Sequence, residues 1–383
     1  MKYLFQIFWL FAILSACSSK SDSGNLISDY HFIIKDSIRI DYQGNFFMLD
    51  FEPESGLFLA RNNRTEEYLF LDDFGSILHR FNLQQDGPNA ISMAQGVGFL
   101  DSKFTVMDSN KGIIQFSNDG EIVHQIDIPK EYFYINGLNG VANWFGEELM
   151  YYRPERGEVS LENPISFFKK LYQSPLLEIF DLKTKTIRNT MEFPPGTIYE
   201  DGNFYQWTFP SLVKVSEEEW LIYFLAERKY HVYHKEAWEL VYQKTIDLDI
   251  ANAVNTIGVP IENWEDYYEK SKFNVFGRIE RLYALDEEIL VVYTKGVPED
   301  IARTNYSENM QERAEFINRI PRYAAVLDKS HQMLQKDIPL PKGMIFSTVV
   351  NNKGQIIALK DQEYFGVEED VVTLYKVEIG KSN

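Results

Sequence analysis

Cysteine is almost absent from this chain: 383 residues contain one, at position 17. That excludes a disulfide framework and a thiolate metal centre. Histidine is scarce as well, six in all, and the only close pair is His231 and His234. Three residues apart on a strand, these two face opposite sides and cannot chelate one metal ion together. Positive charge is in deficit, with 38 Lys and Arg against 57 Asp and Glu and a net charge of −19. A field of that sign repels nucleic acid and anionic membrane surfaces, so neither is expected as the main partner. The sequence has no G-x-S-x-G, H-E-x-x-H, G-x-x-x-x-G-K-[ST] or EF-hand loop, and no Asp-box repeat of the form S-x-D-x-G-x-x-W. No cofactor and no catalytic residue is therefore expected. Long apolar runs are missing too. Tyr3 to Leu14, interrupted by Gln6, falls short of the ~20 residues a membrane-spanning helix needs.

That short run has another reading. Lys2 supplies a positive start, Tyr3 to Leu14 an apolar centre, and Ser15 and Ala16 the small residues of a signal-peptidase site. Leu14-Ser15-Ala16-Cys17 resembles the lipobox of bacterial lipoproteins in all four positions. The resemblance implies cleavage before Cys17 and a diacylglycerol thioether on its sulfur, which accounts for a lone thiol in an exported protein. Residues 1–16 then form the signal peptide. Residues 17–30, beginning "CSSKSDSG", form a flexible tether of small polar residues. The expected location is the cell envelope, lipid-anchored, at the periplasmic or outer side of an outer membrane.

What is abundant is aromatic: 23 Tyr and 28 Phe, within 45% hydrophobic residues. Such a composition supports a large core without disulfides. Beyond the tether, short β-rich runs alternate with turn residues. Five units end alike: "ILHRFNL" (77–83), "IVHQIDI" (122–128), "IRNTMEF" (187–193), "LVYQKTIDL" (240–248) and "MLQKDIPL" (333–340). Each run follows a tight polar turn and another strand, and upstream of those lies a strand pair joined by an acidic or Gly turn, as in "VGFLDSKFTVMD". Four strands per unit is the blade of a β-propeller. The last unit stops one strand short, while "FIIKDSIRID" (32–41) supplies a fourth strand with no blade of its own. The predicted fold is thus all-β: one six-bladed propeller over residues 31–383, its last blade closed by the N-terminal strand against 371–379. Two packed β-sandwiches would also give short strands at regular spacing, but would not explain the complementary termini.

Blade topology assigns the loops to faces. First-to-second and third-to-fourth turns share one face, and all of these are short. Second-to-third loops and blade-to-blade links share the other, and the long insertions, 84–96, 153–176, 249–276 and 296–321, all belong there. "PISFFKKLYQ" and residues 307–319 read as helices within them, as lids over the channel or as braces between blades. The elaborated face is the place to expect function. Five of the six second strands reach it carrying a cation: Arg61, Arg153, Arg228, Lys295 and Lys360, with Asp108 the exception. Converging cations capture carboxylate, sulfate or phosphate groups, Arg in bidentate fashion. Pairing with local acids such as Glu66 is the competing role. Tyr151, Tyr152 and Tyr293 are candidate stacking surfaces for a sugar ring.

The whole pattern, lipobox, aromatic richness and six four-stranded units, resembles the six-bladed β-propeller lipoproteins of Bacteroidota, a domain-of-unknown-function family. The resemblance implies the fold and the anchor and brings no activity with it. Two functions fit the sequence. One is a non-catalytic binding module for an anionic glycan, a peptide or a protein on the elaborated face. The other is a propeller hydrolase or lyase acting on a polysaccharide at the channel mouth.

Overall fold

The computed structural model describes residues 30–382, apart from 63, 84–85, 88–89, 92, 129–131, 134–139, 157–162 and 368. The expected signal peptide, Cys17 and all of the expected tether except Tyr30 lie outside the described residues. Six four-stranded antiparallel sheets follow one another along the chain in a ring, the arrangement of a six-bladed β-propeller. Blades 1 to 5 take their strands in order from residues 47–82, 94–126, 143–190, 211–247 and 275–339. Blade 6 is built from Met344–Val350, Ile356–Lys360 and Val372–Lys381, with Tyr30–Ile40 as its outermost strand. The closing register pairs Phe32 with Ile379 and Ile40 with Val372. The expected closure is therefore the observed one, with the strand starting at Tyr30.

Burial along each blade follows from position in the ring. A second or third strand has a neighbouring blade against each face, so both faces are apolar: Glu67–Leu71 is buried at every position but its first, and Gly112–Phe116 throughout. A fourth strand has solvent on one side and alternates, as in Ile77–Asn82. The core is accordingly divided into six clusters, one at each blade interface. Leu59, Tyr68 and Phe70 of blade 1 meet Phe104, Val106 and Ile114 of blade 2. Ile38, Ile40 and Leu374 of blade 6 meet Phe58, Leu69 and Leu71 of blade 1 across the closure.

The largest cluster lies between blades 3 and 4 because three segments of the elaborated face join it. The helix Pro164–Leu171 begins with Asn163 capping the N–H of Ser166 and buries Phe168 and Leu171. Its Lys169 pairs at 3.0 Å with Glu262 of the 3-10 segment Ile261–Asp266. Asn203–Phe204 pairs with Val259–Pro260, tying the link after blade 3 to the link after blade 4. Phe168, Phe204, Trp264 and Tyr267 pack edge to face in the middle. These insertions brace two blades. The helix expected around 307–319 is Met310–Asn318, preceded by a second, Glu299–Thr304.

Turns on the trimmed face are stitched from blade to blade. Ser102 of blade 2 donates to Glu52 of blade 1 at 2.9 Å, and Trp144 Nε1 of blade 3 donates to Asp101 of blade 2 at 2.7 Å. Tyr230 of blade 4 hydrogen-bonds His331 of blade 5 at 2.9 Å.

Candidate functional site

The cations nominated by sequence stand at the ends of second strands or just beyond them. Arg61 lies 3.3 Å from Glu66, with its guanidinium 5.5 Å from the ring centre of Tyr68. Lys295 pairs with Asp337 at 2.7 Å, and Lys360 pairs with Glu369. Arg228 donates to the carbonyl of Val254 at 3.2 Å and to Asn255 Oδ1 at 2.8 Å. Arg153 follows the second strand of blade 3, its backbone N–H bonded to the Leu176 carbonyl. At least three of the five, Arg61, Lys295 and Lys360, thus carry their own carboxylate among the described residues. The tyrosines need a correction. Tyr151, Tyr152 and Tyr293 are 2%, 8% and 0% exposed, each inside an inter-blade cluster, and offer no ring to a ligand. Both faces of a second strand are covered by neighbours, so alternation along it turns no residue toward solvent.

A different cationic group stands at the channel mouth, in blade 5. Arg278 and Arg281 lie on the innermost strand, Val275–Ala284, on either side of a β-bulge. The register passes from Ile279↔Tyr293 to Arg281↔Val292 and leaves Glu280 without a partner. Bulges re-aim side chains, and here two arginines three positions apart both reach Glu280, Arg278 at its carboxylate and Arg281 at its backbone carbonyl. Thr294 on the second strand is opposite Arg278 on one side and opposite Arg322 on the other, which completes a row across three strands.

Glu280 is the common counter-ion. Arg322 Nε donates to its Oε2, Arg278 Nη2 stands 3.7 Å from its Oε1, and Arg281 Nη1 donates to its backbone carbonyl at 2.6 Å. Arg322 also donates to the Asn318 carbonyl at 2.8 Å, so the C-terminal end of the helix Met310–Asn318 frames the group. One carboxylate therefore pairs with two guanidiniums, and a third, that of Arg281, is held on the backbone carbonyl of the same residue. The Nε atoms of Arg278 and Arg281 are buried and meet no acceptor among the described residues. Burial, and then repulsion from Arg322 and Arg281, push the Arg278 guanidinium below its ordinary range against the pull of Glu280.

The rest of the mouth has an apolar character. The innermost strands of blades 1 and 6 begin at this face, where Phe47 is 50% and Ile345 49% exposed. Tyr364 and Phe365 follow the second strand of blade 6 and are about half exposed, their rings edge to face at 5.2 Å. They sit against Gly343, where a Cβ would lie 2.6 Å from the Phe365 ring. Like Phe47, these are exposed rings of the elaborated face, and the sequence pattern did not single them out.

His231 and His234 lie on opposite faces of their strand, one buried and one exposed. His231 Nδ1 is 2.9 Å from Thr245 Oγ1, and its Nε2 is 3.5 Å from Glu227 Oε2. Among the described residues no three His, Cys, Asp or Glu side chains group as metal ligands, and no helix is long and apolar enough to cross a membrane.

No family model matches the chain, and no curated protein sequence does. Solved structures do resemble it. A member of the DUF4221 family from Bacteroides vulgatus superposes with a TM-score of 0.61 at 12% identity, covering 93% of this chain and 99% of that one. A Bacteroides fragilis protein, named as one inferred to be exported, superposes with a TM-score of 0.53 at 11% identity, covering 91% and 96%. At such identities the likeness shows the shared propeller fold.

Proposed function

We propose that the protein is a lipid-anchored propeller of the cell envelope that binds an anionic ligand at its channel mouth without turning it over. The observation that carries this reading is the imbalance in blade 5: Arg278 and Arg322 share the single carboxylate of Glu280, while Arg281 meets only the backbone carbonyl of that residue. A carboxylate or sulfate entering the group would accept from the buried Nε atoms and relieve the repulsion among the guanidiniums. A guanidinium fork holds a planar anion in two parallel hydrogen bonds, which gives orientation as well as affinity. Phe47, Ile345 and Tyr364 would cover the apolar face of the same ligand, as the ring face of an acidic sugar requires. Arg228, held by the Val254 carbonyl and Asn255, adds positive charge on the approach, whereas Arg61, Lys295 and Lys360 are each paired with a carboxylate.

Acidic oligosaccharides bearing uronate or sulfate, and acidic peptides, are the ligands to screen by thermal shift and calorimetry. The variant Arg278→Gln/Arg281→Gln should lose more than tenfold in affinity for whichever class raises the melting temperature of the wild type. Paired charges at the rim matter less, so Lys295→Gln should change affinity only a few-fold. Equal binding by the wild type and the double variant would overturn the site.

A further inference from the structure

We infer that the trimmed face rests on the membrane, on a zwitterionic phospholipid interface, so that the arginine group is presented away from it. The inference rests on the lipid anchor at Cys17 proposed above and adds an orientation and a docking surface to it.

The first argument is where the chain enters the fold. Tyr30 opens the outermost strand of blade 6, with its N–H donating to Gln335 at 2.7 Å and its hydroxyl to Glu288 at 3.3 Å. Glu288 directly follows the first-to-second turn of blade 5, so this entry point is on the trimmed face. From there the strand Tyr30–Ile40 runs the height of the blade, roughly 35 Å at the usual rise per residue. Residues 18–29 separate Tyr30 from Cys17. As a random coil, a tether of that length would have a typical end-to-end distance of about 20 Å, which is shorter than the wall it would have to climb. The anchor therefore draws the trimmed face toward the lipid.

The second argument is independent of the tether. Phe74 is 85% and Trp238 71% exposed, the two most exposed aromatic side chains among the described residues. Both occupy third-to-fourth turns of the trimmed face, in blades 1 and 4, which stand opposite each other in a ring of six. The turns that display them are pinned. Asp72 Oδ1 accepts from the N–H groups of Phe74 and Ser76 at 2.9 and 2.8 Å, and the Trp238 carbonyl accepts from Arg188 Nε at 3.4 Å. An exposed aromatic ring displayed at each side of this face suits the headgroup region, where Trp is favoured. Headgroup charge follows from the same face, whose inner turns expose Glu54, Glu217, Glu218, Asp286 and Glu287. Anionic lipid would be repelled, and a zwitterionic surface is not.

The test uses the lipidated full chain in phosphatidylcholine and phosphatidylethanolamine vesicles, with one added cysteine per variant, Phe74→Cys, Trp238→Cys or Met310→Cys, carrying a polarity-sensitive dye. Cys17 is blocked by its lipid, and Met310 reports the elaborated face, where it is 77% exposed. The dye at 74 and at 238 should shift to the blue and be quenched by spin-labelled lipid, while the dye at 310 should do neither. Replacing a third of the lipid with phosphatidylglycerol should weaken quenching at 74 and 238. A chain that floats with the vesicles but is quenched at 310, or at none of the three sites, overturns the orientation while leaving the anchor intact. A chain that does not float overturns the anchor, and the orientation with it.

Discussion

The ammonium of Lys376 lies 2.6 Å from Oδ1 of Asp73, across the seam where the last blade meets the first. Lys376 is 4% exposed, and its Nζ also reaches the Asp73 carbonyl at 3.1 Å. The two positions are 303 apart in the chain, so this pair forms only when the ring shuts. Asp73→Asn leaves a buried ammonium with weakened compensation. Because Asp73 is itself over a third exposed, the expected loss is about 2 kcal/mol, below the 3–5 kcal/mol of a fully buried pair. Urea denaturation of the variant measures it. Lys376→Met, which removes the charge and keeps the volume, should cost less than Asp73→Asn.

Gly75 ends the same turn with φ of +88°, and a Cβ there would come within 2.4 Å of Ile38 Cγ2 and 3.2 Å of the Arg39 carbonyl. The turn of blade 1 thus packs on the closing strand at the one place a side chain is excluded. Gly75→Ala should destabilise by roughly 2–4 kcal/mol through the strained backbone and the displaced strand. An unchanged denaturation midpoint would contradict this.

A chain beginning at Asp41 lacks the strand that pairs with Val372–Lys381 along its length. It also loses Ile38 and Ile40 from the cluster between blades 6 and 1. The exposed sheet edge and the opened cluster together should abolish cooperative melting and render the protein sensitive to trypsin. Melting like that of the full chain would show that closure contributes little.

Asp50 gives a pH signature. It accepts from Phe99 N–H of blade 2 at 2.6 Å, an approach that Gly98 permits by having no Cβ. Burial pushes its carboxyl up to about 6, against the two backbone hydrogen bonds that favour the anion. The folded state then holds its proton more tightly than the unfolded state, so this group's contribution to stability falls as pH rises from about 4 to 6. The loss above pH 6 is at most about 3 kcal/mol. Asp50→Asn removes it. The variant should therefore melt higher than the wild type at pH 7.5, and the gap should close by pH 4. A gap that stays constant with pH would locate the effect elsewhere.

Cys17→Ala should move the chain from the detergent phase to the aqueous phase on partition of cell extracts. Retention in the detergent phase would remove the thioether as the anchor.

Much of this architecture is legible in the chain because a propeller blade is a local object. Period-two alternation, a tight polar turn and a four-strand count are all written within about forty residues, as in 94–126. The surplus strand 32–41 and the unfinished last blade could be matched by elimination. Loop lengths also assigned the faces, since insertions such as 153–176 and 296–321 fall on one side of their blades. The link 191–210, not read as an insertion from the sequence, carries the short strand Asn203–Phe204 of its own.

The site was less legible, for a physical reason. Strand alternation tells which side of a sheet a residue takes, but not what covers that side; Tyr151, Tyr152 and Tyr293 read as surface until neighbouring blades close over both faces of their strands. Likewise, the charge of Arg61, Lys295 and Lys360 is cancelled by acids whose nearness depends on loop conformation. Sequence by itself determined the blades, their order and the strand that closes them, because each of those follows from short-range pattern and chain count. Only the tertiary structure decided where unbalanced charge collects. Arg278, Arg281 and Arg322 meet through a single-residue bulge at Glu280 and a row of cross-strand partners, and neither a register nor a bulge is encoded by spacing along the chain.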